Sequence, residues 1–202
     1  MAFRFDKDYV LENDHVRMSP LRISHLDMLY ASADNSNVWS YFLDKGHGVQ
    51  LEGYIKHALK MRAMQEEYSF VIFSKINQEY VGMTRVYEVQ YSNRSVKIGH
   101  TWLNENYWGK GINQICKYLL FEFIFDTLQM NRIGFGVSSE NHRSLHALER
   151  IGCKREGILR EYLPSADGNQ KADIILWSIL QKEWQMNVRE ELKRYIDKKL
   201  TY

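Results

Sequence analysis

Proline is almost missing from this chain, with two residues in 202, against a usual share of about 5%. A Pro-rich linker or stalk is excluded. Cysteine is as scarce. Cys116 and Cys153 lie far apart with no neighbouring thiol, so neither a disulfide framework nor a four-ligand zinc site can be built, and no metal site is expected. Two reduced, partly buried thiols are the reading. Charge of one sign is also lacking. The chain carries 27 Lys and Arg against 25 Asp and Glu, a net +2, too balanced for affinity that rests on neutralising phosphates along a duplex. No nucleic-acid partner is expected. Long apolar runs are absent as well: residues 118–125 are interrupted by Glu122 and fall short of the roughly 20 residues that span a bilayer. No membrane partner is expected. Residues 1–10 contain no secretory apolar core, so a cytoplasmic location is expected and Asn93-Arg94-Ser95 reads as a chance sequon.

What the chain does have is core-forming material: 45% hydrophobic residues, with 5 Trp and 13 Tyr, which excludes wholesale disorder. No repeat or composition shift marks a boundary, so 1–202 is expected to be a single domain. Residues 15–21 read as a strand, and Ser24 as the cap of a helix to about Asp34. A helix follows over about 51–66, then a three-strand meander at 68–74, 80–87 and 95–103. Residues 111–128 give the clearest helix. Ile112, Ile115, Cys116, Leu119, Leu120, Phe123, Ile124 and Leu128 form one buried stripe. Residues 132–138 alternate as a strand. Asn141 caps a short helix that closes at Gly152. Strands at about 153–163 and 172–180 flank the turn Asp167-Gly168. An amphipathic helix at about 182–198 ends the pattern, packed on its own domain or forming a homodimer contact. The fold class is α/β (α+β).

The most informative segment is Trp108-Gly109-Lys110-Gly111-Ile112-Asn113, between a strand and the long helix. Two glycines allow a tight turn and close backbone approach, and the helix behind them presents unpaired N–H groups and its positive dipole end. Such a place binds an anion, most plainly a phosphate; the other reading is an ordinary strand-to-helix turn. It is neither a P-loop nor a dinucleotide fingerprint, because the Gly-Lys spacing is absent and the third glycine position holds Gln114.

Ile98-Gly99-His100-Thr101-Trp102-Leu103, Tyr107 to Asn113, Asn131-Arg132, Asn141-x-x-Ser144 with Leu148-Glu149-x-x-Gly152, and Glu156-Gly157-x-Leu159-Arg160 occur in that order. This series resembles the GNAT superfamily of N-acetyltransferases, in the branch that contains the ribosomal-protein N-terminal acetyltransferases. The closing Asp167-Gly168, Asp173, Ser178-Ile179 and Glu183-Trp184 are similar to that branch too. The resemblance implies a twisted, mostly antiparallel sheet of six to seven strands that splays between the fourth and fifth strands. Acetyl-CoA would sit in the splay, with its pyrophosphate on Trp108, Gly109, Lys110, Gly111, Ile112 and Asn113. Its pantetheine arm would lie along Trp102 and Leu103, near Asn141 and Ser144. Asn113 departs from the Gly or Ala usual in the superfamily.

The same resemblance bears on chemistry. Many members place a tyrosine, as general acid, where this chain has Leu148, and leucine cannot donate a proton. Ser144, one turn earlier on the same helix face, is the branch's substitute; the alternative is that it only caps the helix. Glu88, His100 and Glu161 are the candidate bases, none in a diagnostic motif. His100 alternates with Ile98 and Trp102, as a wall histidine would, and Glu88 also reads as a solvated strand-end charge. At pH 7 roughly a tenth of α-amines but well under a thousandth of lysines are neutral, so a weak base favours an α-amine. Trp39 and Tyr41, in the cluster Val38 to Phe42, fall where relatives line an acceptor pocket. Lys154, Arg155 and Arg160 either meet the 3′-phosphate or face solvent. The function implied is acetyl transfer from acetyl-CoA to a primary amine, a protein N-terminus or a small amine, by direct attack. The rival is a CoA-binding module that has lost catalysis.

Overall fold

The computed structural model describes residues 2–33, 38–42 and 51–200. Its centre is an eight-stranded sheet in the order β1-β2-β3-β4-β5-β6-β8-β7. The strands are β1 (Leu11–Glu12), β2 (Val16–Pro20), β3 (Glu67–Ser74), β4 (Glu79–Gln90), β5 (Ser95–Leu103), β6 (Arg132–Ser138), β7 (Lys154–Pro164) and β8 (Lys171–Leu180). The expected six to seven strands become eight because the two-residue β1 pairs with β2, a length too short to leave an alternation in the sequence. All pairings are antiparallel except β5 with β6.

Helices α1 (Leu26–Ala33) and α2 (Leu51–Ala63) cover one face of the sheet. On the other lie α3 (Ile112–Phe121), α4 (His142–Arg150), α5 (Gln181–Glu183) and α6 (Arg189–Leu200). Alternation along the strands splits the core in two. Val71, Met83 and Trp102 face α1 and α2, while Phe70, Ile72, Val86 and Ile98 face α3. Each large apolar side chain buried this way is worth about 1.5–3 kcal/mol. Ser24 does not cap α1: it lies within a 3-10 turn (Ile23–His25), and the Arg22 N–H donates to His25 Nδ1 at 3.0 Å. The helix is described over Leu26–Ala33, and Asp34 lies outside the described residues.

The long helix is not uniform. After Phe121 it widens into a π-helical stretch (Glu122–Thr127). A second π-helical stretch (Trp184–Val188) joins α5 to α6. Trp184, fully buried, sets its ring against Tyr118, Phe121 and Phe125, and its Nε1–H donates to Asp126 at 3.2 Å. This anchors the C-terminal helix on its own chain. Among the described residues no helix is long and apolar enough to cross a membrane.

Candidate functional site

β5 and β6 pair only at Ser95↔Arg132, Val96↔Ile133 and Lys97↔Gly134. Beyond that, β5 stays with β4 as far as Leu103, β6 stays with β8 as far as Ser138, and the two part. A cavity of about 1320 Å³ fills the gap, walled by β5, β6, α3, α4 and the aromatic segment 38–42.

One end of the cavity is the glycine turn. Asn104 Oδ1 accepts the Asn106 N–H at 2.9 Å and shapes a 3-10 turn (Glu105–Tyr107). Trp108 follows, its Nε1–H donating to the Leu103 carbonyl at 2.9 Å and its ring capped by the Arg143 guanidinium at 3.5 Å. Gly109 and Gly111 have φ of 75° and 87°, the left-handed region that favours glycine. Gly111 caps α3, whose first-turn N–H groups have no carbonyl behind them. A Cβ on Gly109 would meet nothing within 4 Å, so that glycine serves its backbone angle and an open approach. Lys199 on α6 donates to the Gly109 carbonyl at 3.1 Å.

Of the residues expected at a cofactor, Trp102, Leu103, Trp108, Gly109, Gly111, Asn113, Asn141 and Ser144 line the cavity. Two do not. Ile112 is buried in the core, and Lys110 lies over the Tyr107 ring. Lys154, Arg155 and Arg160 also lie off the cavity: Lys154 pairs with Glu183 at 2.7 Å, and with Arg155 it borders a separate shallow depression beside Trp177. Besides Lys110 and Lys199, Arg143, two residues beyond the Asn141 cap, brings a cation to the turn and lines the cavity; the sequence alone did not single it out.

The other end is shaped by two bulges. The β4–β5 register shifts between Met83 and Arg85 and again between Tyr87 and Gln90, with His100 and Glu88 at φ of 48° and 47°. The first bulge breaks the alternation that the sequence suggested. His100 is therefore exposed, its ring against Tyr87 and Phe42, rather than sharing a buried face with Ile98 and Trp102. Glu88 is exposed and pairs with Lys97 at 2.7 Å. Both Glu88 and His100 line the cavity. Glu161 does not; it sits at φ 50° on the outer strand β7, its N–H donating to Asp173 Oδ1 at 2.8 Å. Trp39 is turned inward, donating to the Ala33 carbonyl at 2.9 Å and packing on Trp102 and Tyr54. It backs the wall that Tyr41 and Phe42 form. Tyr41 reaches across the splay, its hydroxyl donating to the Glu140 carbonyl at 3.1 Å.

Below the bulges lies an ion cluster that the sequence alone did not disclose. Arg85, 2% exposed, holds Glu67 at 2.7 Å through Nη1, and its guanidinium lies 4.3 Å from the Tyr54 ring centre. Arg85 and Trp102 both also act on the Tyr54 phenol. Burial pushes the Tyr54 and Tyr87 phenols each up to about 12, the latter helped by Glu88 and Glu67. Both remain protonated donors.

Along the floor, Asn141 Oδ1 accepts the Ser144 backbone N–H at 3.1 Å and so caps α4, while Ser144 also borders the cavity. Leu148 is buried there. Opposite it on α3 is Lys117, 4% exposed, with Nζ 2.9 Å from Thr101 Oγ1. Burial pulls its ammonium down to about 8. Cys116 and Cys153 are both buried, more deeply than expected, and burial raises both thiols, Cys116 to about 12. Neither is a nucleophile.

The family model for the acetyltransferase (GNAT) domain matches residues 15–154. The uncharacterized N-acetyltransferase p20 of Bacillus licheniformis is 31% identical over 115 residues, 57% of this chain and 63% of that protein. A Bacillus subtilis protein provisionally named ribosomal N-acetyltransferase YdaF is 30% identical over 104 residues, 52% of this chain and 55% of that protein. The matched stretches thus span less than two thirds of either relative. A GCN5-related N-acetyltransferase from Brucella melitensis has the same fold, with a TM-score of 0.84 at 20% identity over 96% of this chain and 87% of that one. The chain belongs to the GNAT acetyltransferase family.

Proposed function

We propose that the chain moves an acetyl group from acetyl-CoA to a primary amine by direct attack. The observation that carries this reading is one continuous cavity. It runs from the glycine turn, past the β5 edge that β6 has left, to the bulges at His100 and Glu88. The residues present fit the donor. Among the described residues Asn113 Oδ1 is buried without a partner along this path, and the space at Gly109 admits a ligand against the backbone. The first turn of α3, with Arg143 beside it, would hold the pyrophosphate; Trp102, Leu103 and Asn141 would hold the pantetheine arm. Acetyl-CoA supplies an acyl group already activated as a thioester.

The chain's own part is to orient and to manage charge. Backbone N–H groups on the open edge of β5 face the oxygen that gains charge, a service worth a few kcal/mol elsewhere. Glu88 and His100 take the proton that the amine releases, and Ser144 offers a hydroxyl to the departing sulfur. Glu52, Glu67 and Glu88 border the acceptor end and suit an amine. With no strong base there, an α-amine, neutral in roughly a tenth of molecules at pH 7, is the favoured acceptor. The test is release of free thiol from acetyl-CoA with peptides of free N-terminus, polyamines and amino sugars. Turnover is expected with the peptides, falling by roughly 10²-fold in Glu88→Gln. Tight acetyl-CoA binding without transfer to any amine would leave only a CoA-binding module.

A further inference from the structure

The cations that border the cavity are not equivalent. Lys56, Arg85 and Lys97 each hold a carboxylate, Glu52, Glu67 and Glu88, at 2.6, 2.7 and 2.7 Å. Arg143 and Arg150 are exposed, the first lying on the Trp108 ring. Lys117 is buried and, among the described residues, has no carboxylate within ion-pair distance. Its partner is a hydroxyl: Nζ bonds Thr101 Oγ1, which in turn meets Thr84 Oγ1 at 2.8 Å. An ammonium has three donors, so two N–H bonds remain. Burying an unpaired ammonium is expensive. A methionine of the same length would fill the position between α3 and the sheet without that cost.

Its location suggests what the charge serves. Thr101 precedes Trp102 on the open edge of β5, and Lys117, Leu148 and Phe135 border the same stretch of cavity from α3, α4 and β6. Leu148 can supply neither a proton nor a charge there, and the Ser144 hydroxyl is neutral. The titratable groups nearest Lys117 are Cys116 on its own helix and Cys153 just beyond α4, both held neutral by burial. We propose that Lys117 is the cation that stabilises the sulfur anion released when the thioester is cleaved. The inference rests on the acetyl-CoA reading above. In that step the amine lone pair forms the N–C bond, the C–S bond breaks, and its electron pair stays on sulfur beside the ammonium. A proton passes to sulfur from Lys117 or through Ser144, and the proton lost by the new amide restores the balance.

The test is the thiol of bound CoA, titrated by its ultraviolet absorbance in complexes of the wild type and of Lys117→Met, with the desulfo-CoA complex subtracted. An opposite charge at contact range lowers an acid's pKa by roughly one to three units. The bound thiol is therefore expected to ionise that much lower in the wild type than in Lys117→Met. Equal values in the two complexes would overturn the role of Lys117 and leave the acetyl-CoA reading standing. Failure of CoA to bind the wild type would overturn both. Should Lys117→Met not fold, Lys117→Gln must show the same rise, and its absence there would overturn the proposal.

Discussion

The two halves of the long helix are built to different rules. Its C-terminal half closes on Trp184, a fully buried indole whose N–H reaches Asp126, while Arg189 binds Glu122 at 2.8 Å. Polar groups there find partners within the chain. The N-terminal half buries Gln114 and Lys117, and in its first turn Asn113 Oδ1 has none among the described residues. Unpaired buried polar atoms cost about 1–3 kcal/mol each. The difference teaches that one half of the helix was shaped for stability and the other for something outside the chain.

That comparison can be broken at either half. The largest effect is expected in the closed half. Trp184→Ala should cost about 3–5 kcal/mol in urea unfolding; a loss under about 1 kcal/mol would mean that the C-terminal helix is not anchored as described. At the open half, Gly109→Ala should weaken acetyl-CoA binding at least about tenfold, or ~1.4 kcal/mol. The added methyl meets no protein atom, so the folded state bears only the strain of a left-handed alanine, roughly 1–2 kcal/mol. Unchanged affinity in calorimetry would reduce the turn to a connector.

Lys117 gives a sharper, smaller probe. Its folded pKa of about 8 lies below the ordinary 10.5. The unfolded chain thus holds the extra proton between those values, and stability from this group rises with pH across that window. Lys117→Met should be more stable than the wild type at pH 7, with the gap closing as pH climbs from 8 to 10.5. A pH-independent gap in parallel denaturant titrations would contradict a buried ammonium. The smallest effect belongs to the surface. Glu156, between Arg132 and Ser178, is held down to about 2 by hydrogen bonding to Arg132. With both side chains 37% exposed, Glu156→Gln should cost at most about 1 kcal/mol at pH 7. The wild type should lose that increment as pH falls from 4.5 towards 2.

The frame was legible in sequence wherever apolar spacing was regular. The stripe from Ile112 to Leu128 runs along the long helix, the meander pairs as expected, and the glycine turn sits at the mouth of the splay. What escaped was whatever periodicity cannot encode. Nothing in residues 85–100 signals a left-handed Glu88 or His100, so the bulges and the outward turn of His100 were hidden. Arg85 and Glu67 meet only because β3 and β4 pair Glu67 with Tyr87 and Ser69 with Arg85, a register set by the whole sheet. Lys117 lies outside the apolar stripe and would ordinarily face solvent. It is buried because Gln114 and Lys117, nearly one turn apart, form a second face of the helix that borders the splay. A functional cavity buries residues that a pattern of core and surface assigns to water.

The measurement that tests the central claim most directly is calorimetric titration of the protein with acetyl-CoA, with dephospho-CoA and ATP as controls. Micromolar binding of acetyl-CoA, weaker for both controls, is the predicted result. No heat of binding from acetyl-CoA would contradict the account and leave the splay between β5 and β6 without its ligand.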